Sequence, residues 1–182
     1  MNMITIEAGP LPVSLAEARA WLRLGPATED AVVTGLIKAA AAHCELVTGQ
    51  MLVVREVSEE RAVGAEWLRL ARQPVQAVLD VALRSEGELP VVLARDAWEL
   101  RAEGDGTVAV RVLEPGAAAS VVVRYRAGLA ADAAAVPDAL KQGMLRLIQH
   151  LYSARDDAGA AVPNIVMALW TPWRRVTLAV PA

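Results

Sequence analysis

His43 and Cys44 stand side by side, and a thiol next to an imidazole is the pairing that an activated sulfur nucleophile uses. On a helix, however, sequence neighbours lie about 100° apart and do not face each other. Cys44 falls on an apolar helical stripe, where a small inert core thiol is the expected outcome. The other histidine, His150, stands alone beside a second apolar stripe. No C-x-x-C, H-x-x-x-H or H-E-x-x-H spacing occurs, so neither a metal site nor a cofactor is expected. G-D-G at 104–106 lacks the G-x-x-x-x-G-K-[ST] frame of a phosphate loop, and there is no G-x-S-x-G. Asp156-Asp157 lies in a glycine/alanine link, and Glu59-Glu60 reads as a solvated turn. The carboxylates are plentiful but unpaired by spacing, so no catalytic residue is assigned and no enzyme is expected.

The side chains that do stand out bind rather than react. V-M-A-L-W-T-P-W-R-R-V-T-L, residues 166–178, holds two of the five tryptophans, Trp170 and Trp173, with Pro172 between them and Arg174-Arg175 after. Two indoles left in water would forfeit a few kcal/mol, at about 25 cal/mol per Å² of apolar surface. Tryptophan and arginine are the types enriched at binding hot spots. The leading expectation is a docking segment, with Trp170, Pro172, Trp173, Arg174 and Arg175 contacting a partner protein or a neighbouring subunit. The alternative is that the segment caps its own core. Both can hold together, with Trp170 inward and Trp173 and the arginines outward. A separate reading gives Trp67 or Trp98 to a ligand-binding, possibly glycan-binding, β-module on a helical stalk; it requires those indoles to be off the buried face.

The elements that carry these residues follow from local pattern. S-L-A-E at 14–17 is a capping box that opens a helix, and G-P at 25–26 is expected to stop it. Thr28 is placed to cap a longer helix whose stripe runs Val32/Val33, Leu36/Ile37, Ala40, Cys44 and Val47. Gly49 is placed to end it in the left-handed conformation. From Met51 the chain becomes a series of short β-branched runs separated by turn signals, and E-G-D-G predicts a hairpin between 98–100 and 107–112. Pro137 opens a third helix with Leu140, Met144, Leu147/Ile148 and Leu151 on one side. Pro163 precedes a short apolar piece. The fold class expected is α+β: three main helices, a short C-terminal helix and tail, and an inserted antiparallel sheet or sandwich. The division expected is 1–50 helical, 51–126 an inserted β subdomain, 127–163 the third helix and linker, and 164–182 the docking tail.

Composition adds limits. No apolar run reaches the roughly 18 residues of a membrane span, and one cysteine excludes an internal disulfide framework. A soluble intracellular product is expected. Residues 1–120 carry 11 basic and 17 acidic side chains, whereas 121–182 carry 7 basic and 4 acidic. An acidic body with a basic end suits charge-complementary protein contacts; it gives no concentrated patch for nucleic acid.

The order of motifs resembles one family. V-S-L-A-E-A-R-A-W-L-R-L, E-D-A-V-V-T-G-L-I-K-A-A-A-A-H-C-E-L-V-T-G-Q, L-R-L-A-R-Q-P-V-Q-A-V at 68–78, V-V-V-R-Y-R-A-G-L at 121–129, V-P-D-A-L-K-Q-G-M-L-R-L-I-Q-H-L-Y-S-A-R at 136–155 and A-L-W-T-P-W-R-R at 168–175 are together similar to the head–tail connector (adaptor) family of long-tailed phages and gene-transfer agents. That resemblance implies a structural subunit at the head–tail interface of a phage-like particle assembled in the bacterial cytoplasm. It implies a ring of copies, usually twelve, beneath the portal protein, joined below by the next connector or tail-completion protein. DNA would pass through without specific binding, which the acidic body suits because tight phosphate contacts would stall it. The C-terminal segment of such proteins reaches into the portal. The long β-block sets this chain apart from the smaller, mostly helical members.

Overall fold

The computed structural model describes residues 2–25, 29–64, 66–104, 106–154 and 161–175. The chain divides into two compact units. A β unit takes Met1–Gly9 and Val54–Leu129, and a helical unit takes Pro10–Val53 and Ala130–Arg175. Among the described residues there are four α-helices and eight strands in two antiparallel sheets, an α+β fold as the sequence pattern predicts.

The helical unit begins at α1 (Leu15–Leu22). Its capping box forms as expected: the Ser14 amide donates to Glu17 Oε2 at 2.8 Å and the Glu17 amide donates to Ser14 Oγ at 3.1 Å. The stop comes earlier than Gly25-Pro26, because Arg23 takes the left-handed conformation (φ 55°) and its N–H closes on Ala20. α2 (Asp30–Thr48) starts with Glu29 as N-cap and no side-chain cap; Thr28, expected to cap it, lies outside the described residues. Gly49 ends α2 at φ 68°, as its position requires of a residue free of Cβ strain. Val33, Ile37, Ala40 and Cys44 form the buried side of α2, while Val32 from the same predicted stripe is 45% exposed. α3 (Asp138–Ser153) buries Leu140, Met144, Leu147 and Ile148. Pro137 stands one position earlier than expected, as N-cap, its carbonyl accepting from the Leu140 and Lys141 amides at 3.0 and 3.1 Å. α4 (Asn164–Trp170) runs into a 3₁₀ turn at Thr171–Trp173.

In the β unit the strands are β1 (Met3–Ile6), β2 (Arg55–Ala62), β3 (Leu68–Arg69), β4 (Val75–Arg84), β5 (Val91–Val92), β6 (Trp98–Ala102), β7 (Val108–Val112) and β8 (Ser120–Ala127). The larger sheet has the order β1-β2-β8-β4-β5 and the smaller β3-β7-β6. The predicted hairpin is β6–β7, in register from Trp98 opposite Val112 to Ala102 opposite Val108. The apolar start of the chain is an edge strand that pairs Met3–Ile6 with Glu60–Val57. Along β8 the inward Val121, Val123, Tyr125 and Ala127 alternate with exposed Arg124 and Arg126, the period of two that one buried sheet face imposes. Arg124 pairs with Glu56 at 3.8 Å and with Asp80, opposite it on β4, at 3.5 Å, a charged outer face.

One strand differs from the sequence expectation. M-L-V-V at 51–54 is not strand; Met51, Leu52 and Val53 are buried in the helical unit, and Val53 makes an isolated parallel bridge to Ala130. The strand is instead R-E-V-S-E-E-R-A, so Glu59-Glu60 is mid-strand rather than a solvated turn. Glu59 follows Val57 by two residues and shares its inward face, where it is fully buried. It accepts from Tyr125 Oη at 2.9 Å, the Ala71 amide at 2.9 Å and Arg61 Nε at 2.7 Å. A buried carboxylate is tolerated because these three hydrogen bonds, one of them from an arginine cation, replace those it gives up from water.

Candidate functional site

The five residues of the tail do three different things. Trp170, the last residue of α4, is fully buried. Its Nε1–H donates to the Leu140 carbonyl of α3 at 3.3 Å, and the His43 ring lies 6.0 Å from it, tilted by 44°. Gly143 makes the room: a Cβ there would come within 2.8 Å of Trp170 Cε2 and 2.9 Å of Cδ1, and nearer still to Nε1. The cover for this indole is therefore supplied by its own chain, from α2 and α3.

Past Trp170 the backbone is clasped rather than buried. Thr171 Oγ1 donates to the Met167 carbonyl at 2.7 Å, and the Arg174 amide donates to Thr171 O at 3.1 Å, closing the turn that Pro172 begins. Gln50 Nε2 donates to the Trp173 carbonyl. The Arg175 amide donates to Thr48 O at 2.9 Å, one of the carbonyls that α2 leaves open at its end. Pro172 and Arg174 are exposed, and Trp173 and Arg175 half-buried. So the backbone of 171–175 is fixed at the C-terminal end of α2, while Pro172 and Arg174 are offered to solvent and Trp173 only in part. Residues 176–182, including the end of the predicted docking segment, lie outside the described residues, as does Asp156-Asp157.

The residue types that suggested chemistry are placed apart from it. Cys44 is fully buried and its thiol is pushed up to about 12, first by desolvation and then by the charge of Glu45. That is the reverse of what a nucleophilic sulfur needs. His43 points to Trp170 rather than to Cys44. Among the described residues no three His, Cys, Asp or Glu side chains are grouped to hold a metal ion. Trp98 is 6% exposed, on the buried face, with the Arg95 guanidinium 4.0 Å above its ring. Trp67 is half-buried beside an open groove of about 490 Å³, but Arg101 and Arg111 lie 4.3 and 5.0 Å from its ring centre. Neither indole presents the free flat face that a sugar would stack on.

Glu59 and Tyr125 are the residues that sequence reasoning missed. The Tyr125 hydroxyl accepts from the Arg72 amide at 3.1 Å as it donates to Glu59, so the two side chains hold the L-A-R-Q loop against β8. The clue lay in the spacing of Val57 and Glu59 on one strand face; the partner, 66 residues away, was not readable locally.

Solved chains similar to this one include three from gene transfer agent particles. At 26% identity, over 97% of this chain and 97% of each of theirs, it is similar to a chain in the virion of a native gene transfer agent particle, with a TM-score of 0.77. Equally covered are a chain in the neck of an empty gene transfer agent particle computed with C6 symmetry, TM-score 0.78, and one in the neck of a native particle computed with C12 symmetry, TM-score 0.73. The likeness runs along nearly the whole chain and supports a protein of the gene-transfer-agent connector type. No family model and no curated protein matches it. The motif segments of the chain are its tie points. S-L-A-E caps α1, T-G ends α2, L-R-L-A-R-Q and V-V-V-R-Y-R meet through Glu59 and Tyr125, and A-L-W-T-P-W-R-R docks on α3 and the end of α2.

Proposed function

We propose that this protein is a head–tail adaptor: a structural subunit of a particle neck, present as a ring of copies beneath the portal, with DNA passing through the middle. The observation that carries the reading is the likeness to neck chains over 97% of both sequences, in necks computed with C6 and C12 symmetry. Twelve copies is the number proposed, with the portal protein above and the next connector or tail-completion protein below. The subunit works by geometry rather than by chemistry; no enzymatic step is assigned to it. Its place is the neck of a phage-like particle, assembled in the bacterial cytoplasm.

Within that reading, Pro172, Trp173, Arg174 and Arg175 form the portal-facing contact. Support comes from the clasp at Thr48 and Gln50, which fixes the backbone at 171–175 and leaves the proline, indole and guanidinium outward. A preordered anchor loses little conformational entropy on docking. Trp170 supports the contact from behind by anchoring α4. Deleting the gene in a producing strain tests the function: heads and tails should accumulate unjoined, and complementation should restore joined particles. Joined, DNA-delivering particles without this chain would refute it.

A further inference from the structure

The two long helices of the helical unit treat solvent in opposite ways. α3 exposes Asp138, Gln142, Arg146, Gln149 and Ser153, an ordinary polar stripe. Besides Lys38, its one exposed charge, α2 exposes a row of Val32, Gly35, Ala39, Ala42 and Leu46, with Val32 45% and Leu46 78% exposed. The mean hydropathy of α2 reaches 1.3 although 33% of that stretch is buried. The positions of the row step by three and four residues, the spacing of a helix-packing seam. From Val32 to Leu46 the seam is about 21 Å long at 1.5 Å per residue. Its small central residues let another element approach closely, while the larger ends close around it.

We infer that this face of α2 is one side of the contact between successive copies of the chain. The inference rests on the ring reading above. In a cyclic ring each subunit meets a like neighbour on two sides, and the contact is heterologous, so two unlike surfaces of one chain must be buried. The outer faces of α2 and α3, one apolar and one polar, supply that asymmetry. Lipid is a poorer occupant: Val33, Ile37, Ala40 and Cys44 of the same helix are already fully buried against protein, and a bilayer would have to surround them.

The test uses the full chain, in a producing strain whose own copy is deleted and as purified protein. In Ala39→Glu/Leu46→Glu both changed positions face solvent in the single chain. Its helix content and melting should match the wild type, while its incorporation into necks falls at least tenfold. Maleimide labelling of Leu46→Cys gives a second readout, since Cys44 is buried. The new thiol should react quickly in the free subunit and at least tenfold more slowly in assembled necks. Rings that form normally with the charged variant, or position 46 staying reactive in assembled necks, would sink the inference and leave the ring reading standing. Wild-type necks lacking any ring of this chain would remove both. Slow labelling in the free subunit that deletion of residues 176–182 relieves would give the seam to the chain's own tail. Flotation of the wild type but not the charged variant with phosphatidylcholine/phosphatidylglycerol vesicles would give it to lipid. Either result overturns the copy-to-copy contact.

Discussion

Two helical glycines should respond to alanine with opposite sign. In a helix interior Gly→Ala gains about 1 kcal/mol from backbone entropy. At Gly35 nothing lies within 4 Å of the added Cβ, so that gain should appear nearly whole. At Gly143 the methyl would meet the Trp170 ring at 2.8–2.9 Å and closer at Nε1, well inside van der Waals contact. Trp170 is fully buried and cannot retreat without disturbing its bond to Leu140 O. Overpacking of this kind costs about 1–3 kcal/mol, and a weakened hydrogen bond adds about 1 kcal/mol. Set against the propensity gain, Gly143→Ala should destabilise by about 1–3 kcal/mol. For a chain of this size each kcal/mol moves Tm by about 2–4 °C. Urea and thermal melts followed by helix circular dichroism should show Gly35→Ala slightly up and Gly143→Ala clearly down. Adding Trp170→Ala should abolish the extra penalty of Gly143→Ala, a coupling that a double-mutant cycle reads directly. A Gly143→Ala protein as stable as the wild type, or an additive cycle, would refute the assigned role of that glycine as the seat of the indole.

Four further outcomes follow from the same geometry. Trp173→Ala/Arg174→Ala should leave Tm within a few degrees of wild type yet reduce neck incorporation at least tenfold, scored by immunoblot of purified particles. Glu59→Ala strands the Tyr125 hydroxyl and the Ala71 amide, and should cost about 3 kcal/mol in urea unfolding followed at the β unit. Hydrogen bonds from the Ser14 hydroxyl and then its amide hold the Glu17 carboxyl below the ordinary range; that stabilisation is present above about pH 4 and is lost as pH falls through the lowered folded value. Ser14→Ala should therefore cost about 1 kcal/mol at pH 7, with the gap to wild type narrowing in acid melts. The Cys44 thiol, with its pKa near 12, should resist iodoacetamide at pH 8 in the native chain and react once urea unfolds it.

Features whose partners are near in sequence were legible. The capping box spans three residues, Gly49 answers a helix end, the β6–β7 hairpin closes over one short turn, and the α3 stripe needs only the helical period. Features set by distant partners were not. Glu59 looks solvated until Tyr125 and Ala71 are brought to it, and M-L-V-V looks like strand until the helical unit claims it. The stop of α1 at Arg23 broke a local rule, since a non-glycine residue adopted the left-handed turn ahead of Gly25. The layout of the tail was not legible locally: only Gly143 and Leu140, some 30 residues upstream, assign Trp170 inward.

The interleaved route of the chain also sets an order of manufacture. The described part of the β unit has all its strands once residue 127 is made, whereas the helical unit, begun at Pro10, waits for α3 and α4. Domains tend to fold as they leave the ribosome, so α1 and α2 must stand by, and the seat for Trp170 against α2 and α3 stays an open groove until α4 is made. A nascent chain thus has a finished sheet and an unfinished helical unit. Prematurely ended chains lacking α4 would carry that open groove permanently, a mark by which quality control could remove them before they poison a ring.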